Sequence, residues 1–191
     1  MAYITFIIPT VGRHSLIRAL NSLHDLKDHD WKAIVVFDGL KNEIVQPSDK
    51  IKIVEAPQTR SPGLTRNYGM AMVDTKWIGF LDDDDCLYED YIGKLKEEEH
   101  NHPEAEFVLF RMIADKIVPR MTIKDAILIN EVGISFAIKN STVIKHDAAF
   151  EKKGSEDYNF LKNLSLKGVK FRISNYVAYE VCRNNRDKEK K

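Results

Sequence analysis

Apolar and polar positions alternate along the first hundred residues in a regular order of elements. Tyr3–Ile8 is a β-prone apolar run closed by Pro9, and it predicts a strand. Ser15 is placed to cap a helix, because Leu16, Ile17, Leu20, Leu23 and Leu26 then recur at helical spacing. Lys32–Phe37 reads as a buried strand ending at Asp38-Gly39, and Ile51–Val54 as a short third strand. Ser61-Pro62 is a cap followed by proline at the first helical position, with the helix continuing to about Val73. Trp77–Leu81 predicts a fourth strand that runs straight into Asp82, Asp83, Asp84 and Asp85, and a helix follows over Glu89–Glu99.

Strands that are apolar throughout and separated by helices make a parallel sheet covered on both faces. In such sheets ligands bind beyond the carboxyl ends of the strands. Pro9-Thr10, Asp38-Gly39 and the aspartate run all fall there. The second half is less regular. Glu106–Arg111, Gly133–Lys139, Val169–Ile173 and Tyr176–Val181 read as strands, Asn140 as the cap of a short helix and Ser155 as the cap of Glu156–Leu166. These elements are expected to extend the sheet and complete the cleft.

With 191 residues and no repeat or linker, the chain is expected to be one domain. Residues 1–104 make its regular half, 105–185 its less regular half, and 186–191 a charged tail. Lysine plus arginine is 29 and aspartate plus glutamate is 29, so the balance gives no footprint for nucleic acid. No apolar run reaches the roughly 20 residues of a bilayer span. The N-terminus shows no signal peptide. The expectation is a cytoplasmic protein whose tail is solvated or rests on a membrane surface. Cys86 and Cys182 allow one disulfide at most, and two reduced thiols are expected.

Four consecutive carboxylates repel one another unless something positive compensates. At the end of a buried strand they gather hard oxygen donors that suit Mg²⁺ or Mn²⁺. A Ca²⁺ loop of the EF-hand type is excluded, because counting from Asp82 the sixth and twelfth positions are Leu87 and Gly93 where glycine and glutamate are needed. A cation held by one or two carboxylates completes its shell with water and substrate phosphate. Neither of the familiar glycine-rich phosphate loops is present.

Together these segments resemble the family 2 glycosyltransferases of GT-A fold. Phe6-Ile7-Ile8-Pro9-Thr10 with Arg13 is similar to the family's opening strand and turn. Val35–Gly39 is similar to its second strand, Gly63–Gly69 to its Gly-x-x-x-Arg-Asn-x-Gly helix start, Gly79–Asp85 to its Phe-Leu-Asp-x-Asp-Asp signature, and Gly154–Tyr158 to its late Glu-Asp motif. The resemblance implies an α/β fold with a mostly parallel central sheet flanked by helices, residues 1–104 being the nucleotide-binding half and 105–185 the acceptor and catalytic half. It implies transfer of a sugar from a nucleoside diphosphate sugar, a UDP-sugar above others, to a hydroxyl of a glycan, lipid or protein, with Mn²⁺ or Mg²⁺ and with inversion.

It also implies roles. Pro9 and Thr10 line the base pocket with Arg13 nearby, Asp38 accepts from a base N–H, and Arg66 approaches the nucleotide phosphates. Asp82 reaches the ribose or a metal-bound water, Asp84 binds the metal, and Asp83 or Asp85 shares the task. Asp157 is the general base with Glu156 beside it. Phe37 stands where the family often has another aspartate. A late histidine of the family is missing, with Arg183, Asn184 and Asn185 in its neighbourhood. Two other readings stay open: a catalytically inactive nucleotide-sugar binding module, and a sugar-nucleotide nucleotidyltransferase.

Overall fold

The computed structural model describes residues 2–40, 43–152 and 154–182. In chain order the elements are β1 (Ile4–Thr10), α1 (Ser15–His24), β2 (Trp31–Asp38), β3 (Ile51–Ala56), α2 (Pro62–Met70), β4 (Trp77–Phe80), β5 (Cys86–Leu87), α3 (Tyr91–Asn101), β6 (Phe107–Ile113), β7 (Ile117–Val118), β8 (Phe136–Lys139), α4 (Asn140–His146), α5 (Glu156–Leu166) and β9 (Phe171–Glu180). The strands form a single sheet in the order β3-β2-β1-β4-β8-β6-β9-β5, with β7 paired to β6. The first four strands run parallel. The second half joins through antiparallel pairs of β8 with β4 and β6, while β6 and β9 are again parallel. Most paired residues are in parallel register, as the strand–helix alternation predicts.

The reason lies in the strands themselves. Every residue of β1 and of β4 is buried, as is most of β2. Strands buried on both faces need helices above and below, and only crossover connections supply them. Gly79 marks a close approach, since a Cβ there would lie 2.7 Å from the Phe6 ring. The segments that leave β1, β2 and β4 therefore emerge side by side at one edge, in the spatial order β2, β1, β4. Adjacent strands are about 4.8 Å apart, so this edge offers roughly 10 Å from β2 to β4 for a ligand lying across it.

Several helix starts differ from expectation. Ser61 does cap α2, accepting from the Leu64 amide at 3.4 Å with Pro62 behind it. Ser15 instead begins α1, and its hydroxyl is buried without a hydrogen-bond partner. Asn140 lies inside the first turn of α4 and donates to the Val73 carbonyl at 3.1 Å. Ser155 precedes α5 with φ of 56°, a left-handed conformation in which its side chain makes no cap bond. Helix α2 stops at Met70, short of Val73. The two strands expected near the C-terminus are one, β9. Its pairing with β6 jumps from Leu109↔Ile173 to Arg111↔Val177, so Ser174, Asn175 and Tyr176 bulge out.

Candidate active site

A cavity of about 700 Å³ opens at the carboxyl edge of β1, β2 and β4. Of the residues singled out in the sequence, Pro9, Thr10, Arg13, Asp38, Asp82, Asp83 and Asp84 line it. Arg66, Asp85, Glu156 and Asp157 are not among its lining residues.

The four aspartates of the turn after β4 do not share one environment. Asp83 is buried, accepts from the Thr10 hydroxyl at 2.6 Å and from Arg13 Nη1 at 3.0 Å, and is pushed up in pKa by burial against those two bonds. Asp85 faces away from the cavity. One of its oxygens accepts from the Tyr179 hydroxyl at 2.9 Å and the other from the Cys182 amide at 3.0 Å. Burial and repulsion from Asp82 push Asp85 up to about 7. Tyr179 also accepts from the Asp82 amide at 3.0 Å, so one buried phenol braces both ends of the turn. Asp82 and Asp84 line the cavity beside Asp83, and Asp82 is at the same time paired with Arg66. Asp84 lies 3.8 Å from Arg13 Nη1 and its carbonyl accepts from Arg18. Among the described residues no set of three His, Cys, Asp or Glu is arranged as a metal cage. The donors present instead fit a hard divalent cation that keeps positions for water and phosphate.

Behind Asp82 lies the second acidic group. Arg66 is 2% exposed and bridges Asp82 and Glu156, the latter at 2.6 Å, with Asp157 Oδ1 at 3.8 Å. Burial works against the guanidinium charge, but Asp82, Asp157 and Glu156 outweigh it and raise its pKa. Arg66 stands off the cavity wall, behind the residues expected to meet the nucleotide. Its charge is spent on three carboxylates, because a buried cation needs partners and those are the ones within reach. Glu156 also accepts from the Gly63 amide at 3.0 Å, at the N-terminus of α2. The position has to be glycine, since a Cβ there would lie 2.6 Å from Glu156 Oε2 and 2.9 Å from Phe150 Cβ. Asp157 is pushed up to about 7, by burial first, with Asp82 and Glu156 adding and Arg66 opposing. Its Oδ1 is buried without a hydrogen-bond partner.

At the other end of the cavity, Asp38 accepts from the amides of Thr59 and Arg60, the latter at 2.9 Å. Its carboxylate therefore holds the turn before α2, and a base N–H would have to share it. Arg60, missed in the sequence, lines the cavity with φ of 55°. Its guanidinium has no ion-pair partner among the described residues. The available signal was a lone arginine directly before the Ser61-Pro62 cap. Phe37 is fully buried, so the contact an aspartate would make there is absent. Arg183, Asn184 and Asn185 lie outside the described residues, as does the charged tail. Among the described residues no helix is long and apolar enough to cross a membrane.

The chain is similar to known proteins. An uncharacterized glycosyltransferase of Haemophilus influenzae is 24% identical over 180 residues, covering 84% of this chain and 61% of that protein. S. aureus TarS 1-349 superposes with a TM-score of 0.76 at 17% identity, covering 94% of this chain and 60% of that one. The mannosyltransferase PcManGT from Pyrobaculum calidifontis, solved with GDP-Man and Mn²⁺, superposes with a TM-score of 0.77 at 14% identity, covering 96% and 57%. The chain thus spans about 60% of the length of such relatives, and at these identities the superpositions speak for the fold, the GT-A arrangement. The sequence pattern described as Glycosyl transferase family 2 matches residues 5–157, from the second residue of β1 to Asp157, and the chain belongs to that family.

Proposed function

We propose that the chain transfers a sugar from a nucleoside diphosphate sugar, a UDP-sugar in preference, to an acceptor hydroxyl on a glycan, lipid or protein, with Mn²⁺ or Mg²⁺ and with inversion at the anomeric carbon. The observation that carries the reading is the single cavity bounded by Asp38 after β2, Thr10 of β1 and Asp82 and Asp84 after β4. TarS has been solved with UDP and with UDP-GlcNAc, and PcManGT with GDP-Man and Mn²⁺. Donors of that class match a cleft with the carboxylates of Asp82 and Asp84 at one end and Arg60 at the other.

Asp84, with Asp82, would hold the cation. A divalent ion held there would supply Lewis-acid stabilisation of negative charge on a diphosphate leaving group. Arg13 and Arg60 are the cationic side chains on the cavity wall, and they donate to the nucleotide in place of Arg66. Arg66 acts from behind by fixing Asp82 and the two acids of α5. Asp157 takes the proton of the acceptor hydroxyl. A base poised near neutrality combines the ionised form with useful basicity at physiological pH, and a dehydrated site sustains that acidity. Attack from the face opposite the diphosphate gives inversion.

A catalytically inactive binding module is the second reading, favoured by one observation, that Glu156 and Asp157 stand outside the cavity wall. The test is a thermal-shift and calorimetric panel of UDP, GDP, CMP and their sugars with and without Mn²⁺. A ligand of the folded state raises its melting point by mass action. UDP with Mn²⁺ is expected to bind best, and Asp84→Ala to lose the Mn²⁺-dependent part of that affinity with an unchanged circular dichroism spectrum. Equal affinity in the variant would overturn the metal assignment. Release of sugar from the donor separates the enzyme from the inactive module, which binds and never turns over.

A further inference from the structure

Cys86 and Cys182 are 96 residues apart in the chain, yet their sulfurs lie 3.6 Å apart. The topology explains the meeting. Cys86 opens β5 directly after the acidic turn, and β5 runs antiparallel to the end of β9 with Cys86 opposite Glu180 and Leu87 opposite Tyr179. The Tyr88 amide donates to the Ala178 carbonyl at 3.0 Å and the Val181 amide to the Ile113 carbonyl at 2.8 Å, so both sides of the pair are anchored. Continuing past Glu180 brings Cys182 alongside Cys86 and onto the cavity wall. Both residues are half-buried and both thiols are free. A disulfide bond is about 2.05 Å long, so the sulfurs need to approach by only about 1.5 Å.

We propose that Cys86 and Cys182 are a modification site, a dithiol that closes reversibly to a disulfide and thereby weakens donor binding in the adjoining cavity. The disulfide stands on the sulfur geometry alone, whereas its effect on a donor rests on the nucleotide-sugar reading above. The oxidant is a small-molecule disulfide such as oxidised glutathione. One protein thiolate attacks a glutathione sulfur and displaces the first glutathione thiolate. The second protein thiolate attacks the protein sulfur of that mixed disulfide, forms the Cys86–Cys182 bond and displaces the second glutathione thiolate. Two protein thiols are oxidised, one external disulfide is reduced to two thiols, and the two protons end on the released glutathione.

The route to the cavity is the Cys182 amide, which Asp85 uses at 3.0 Å. Drawing Cys182 toward Cys86 strains that bond, and Asp85 is the brace behind the metal-facing side of its turn. Loss of such an outer partner costs roughly tenfold in metal affinity.

The experiment treats the full chain with oxidised glutathione and reads intact mass, free thiols and Mn²⁺-dependent UDP affinity before and after dithiothreitol. The expected result is a monomer two hydrogens lighter, with both thiols lost, UDP bound roughly tenfold more weakly, and all three restored by dithiothreitol. Cys86→Ser is expected to keep its UDP affinity through the same treatment. A glutathione adduct or a disulfide-linked dimer as the only product would overturn the modification site. An intramolecular disulfide with unchanged UDP affinity would overturn its link to the cavity. Reduced wild-type protein that binds no nucleoside diphosphate at all would sink the nucleotide reading instead, and the mass measurement would still decide the disulfide.

Discussion

Asp85 in the turn after β4 and Asp157 at the start of α5 reach the same acidity, about 7, and in both cases burial is the main cause. Their surroundings divide them. Asp85 has a hydroxyl on one oxygen and a backbone amide on the other, both within 3.0 Å. Asp157 has a buried oxygen with no hydrogen bond, and its nearest cation stands 3.8 Å away. A carboxyl group fully occupied by neutral donors is a structural brace. One that is desolvated and unsatisfied has somewhere to put a proton. Perturbed acidity alone therefore does not tell Asp157 from Asp85, and hydrogen-bond occupancy does.

The sharpest way to break this comparison is to neutralise Asp157, the proposed base. Asp157→Asn should lower transfer by roughly two to four orders of magnitude, measured as sugar transfer at saturating donor, while UDP affinity by calorimetry stays unchanged. In the unaltered chain, kcat/KM should rise with pH through about 7 as Asp157 ionises. Stability should move the other way. A folded pKa raised above the ordinary carboxylate value means that the unfolded chain releases its proton first. Stability then falls as pH rises from near 4 toward 7 and levels off above. A rate that is flat across pH 6 to 8 would remove Asp157 from the base role.

Next in size is the cation behind the second acidic group. Arg66→Ala leaves Asp82, Glu156 and Asp157 without their buried partner and should cost about 3–5 kcal/mol in urea unfolding. Arg66→Lys should recover only part, since an ammonium group lacks the fork that serves two carboxylates at once. The smallest expected effect is at the cap of α2. Ser61→Ala should cost about 1 kcal/mol of stability and leave the pH dependence of transfer in place, because the cap touches neither acid.

Much of this was legible in the chain. The first four strands announced themselves because they are apolar on both faces, and the residues that line the cavity could be named because they follow those strands. Other features depend on contacts that no local pattern carries. The partners of Arg66 lie 16 and 90 residues away, so the carboxylates around it could not be read from its neighbours in the chain. Asp85 turns from the cavity because Tyr179 waits on β9, 94 residues on. Strands β5 and β7 are two residues each, too short for any period to register. Ser174 and Asn175 read as a break because they are polar, whereas the strand passes them in a bulge and Arg111 donates to Asn175 at 3.3 Å.

The bond from Gly63 to Glu156 joins residues that a ribosome makes 93 positions apart. One comes from the early α2 and the other from α5, and Arg66 ties the same pair a second time. A molecule in which only the early strands have folded lacks the contact, and with it the alignment of Asp157. On the proposed reading of Asp157 as the base, turnover would then wait for α5 to dock against α2, so a chain folded only in its early strands would leave the donor untouched.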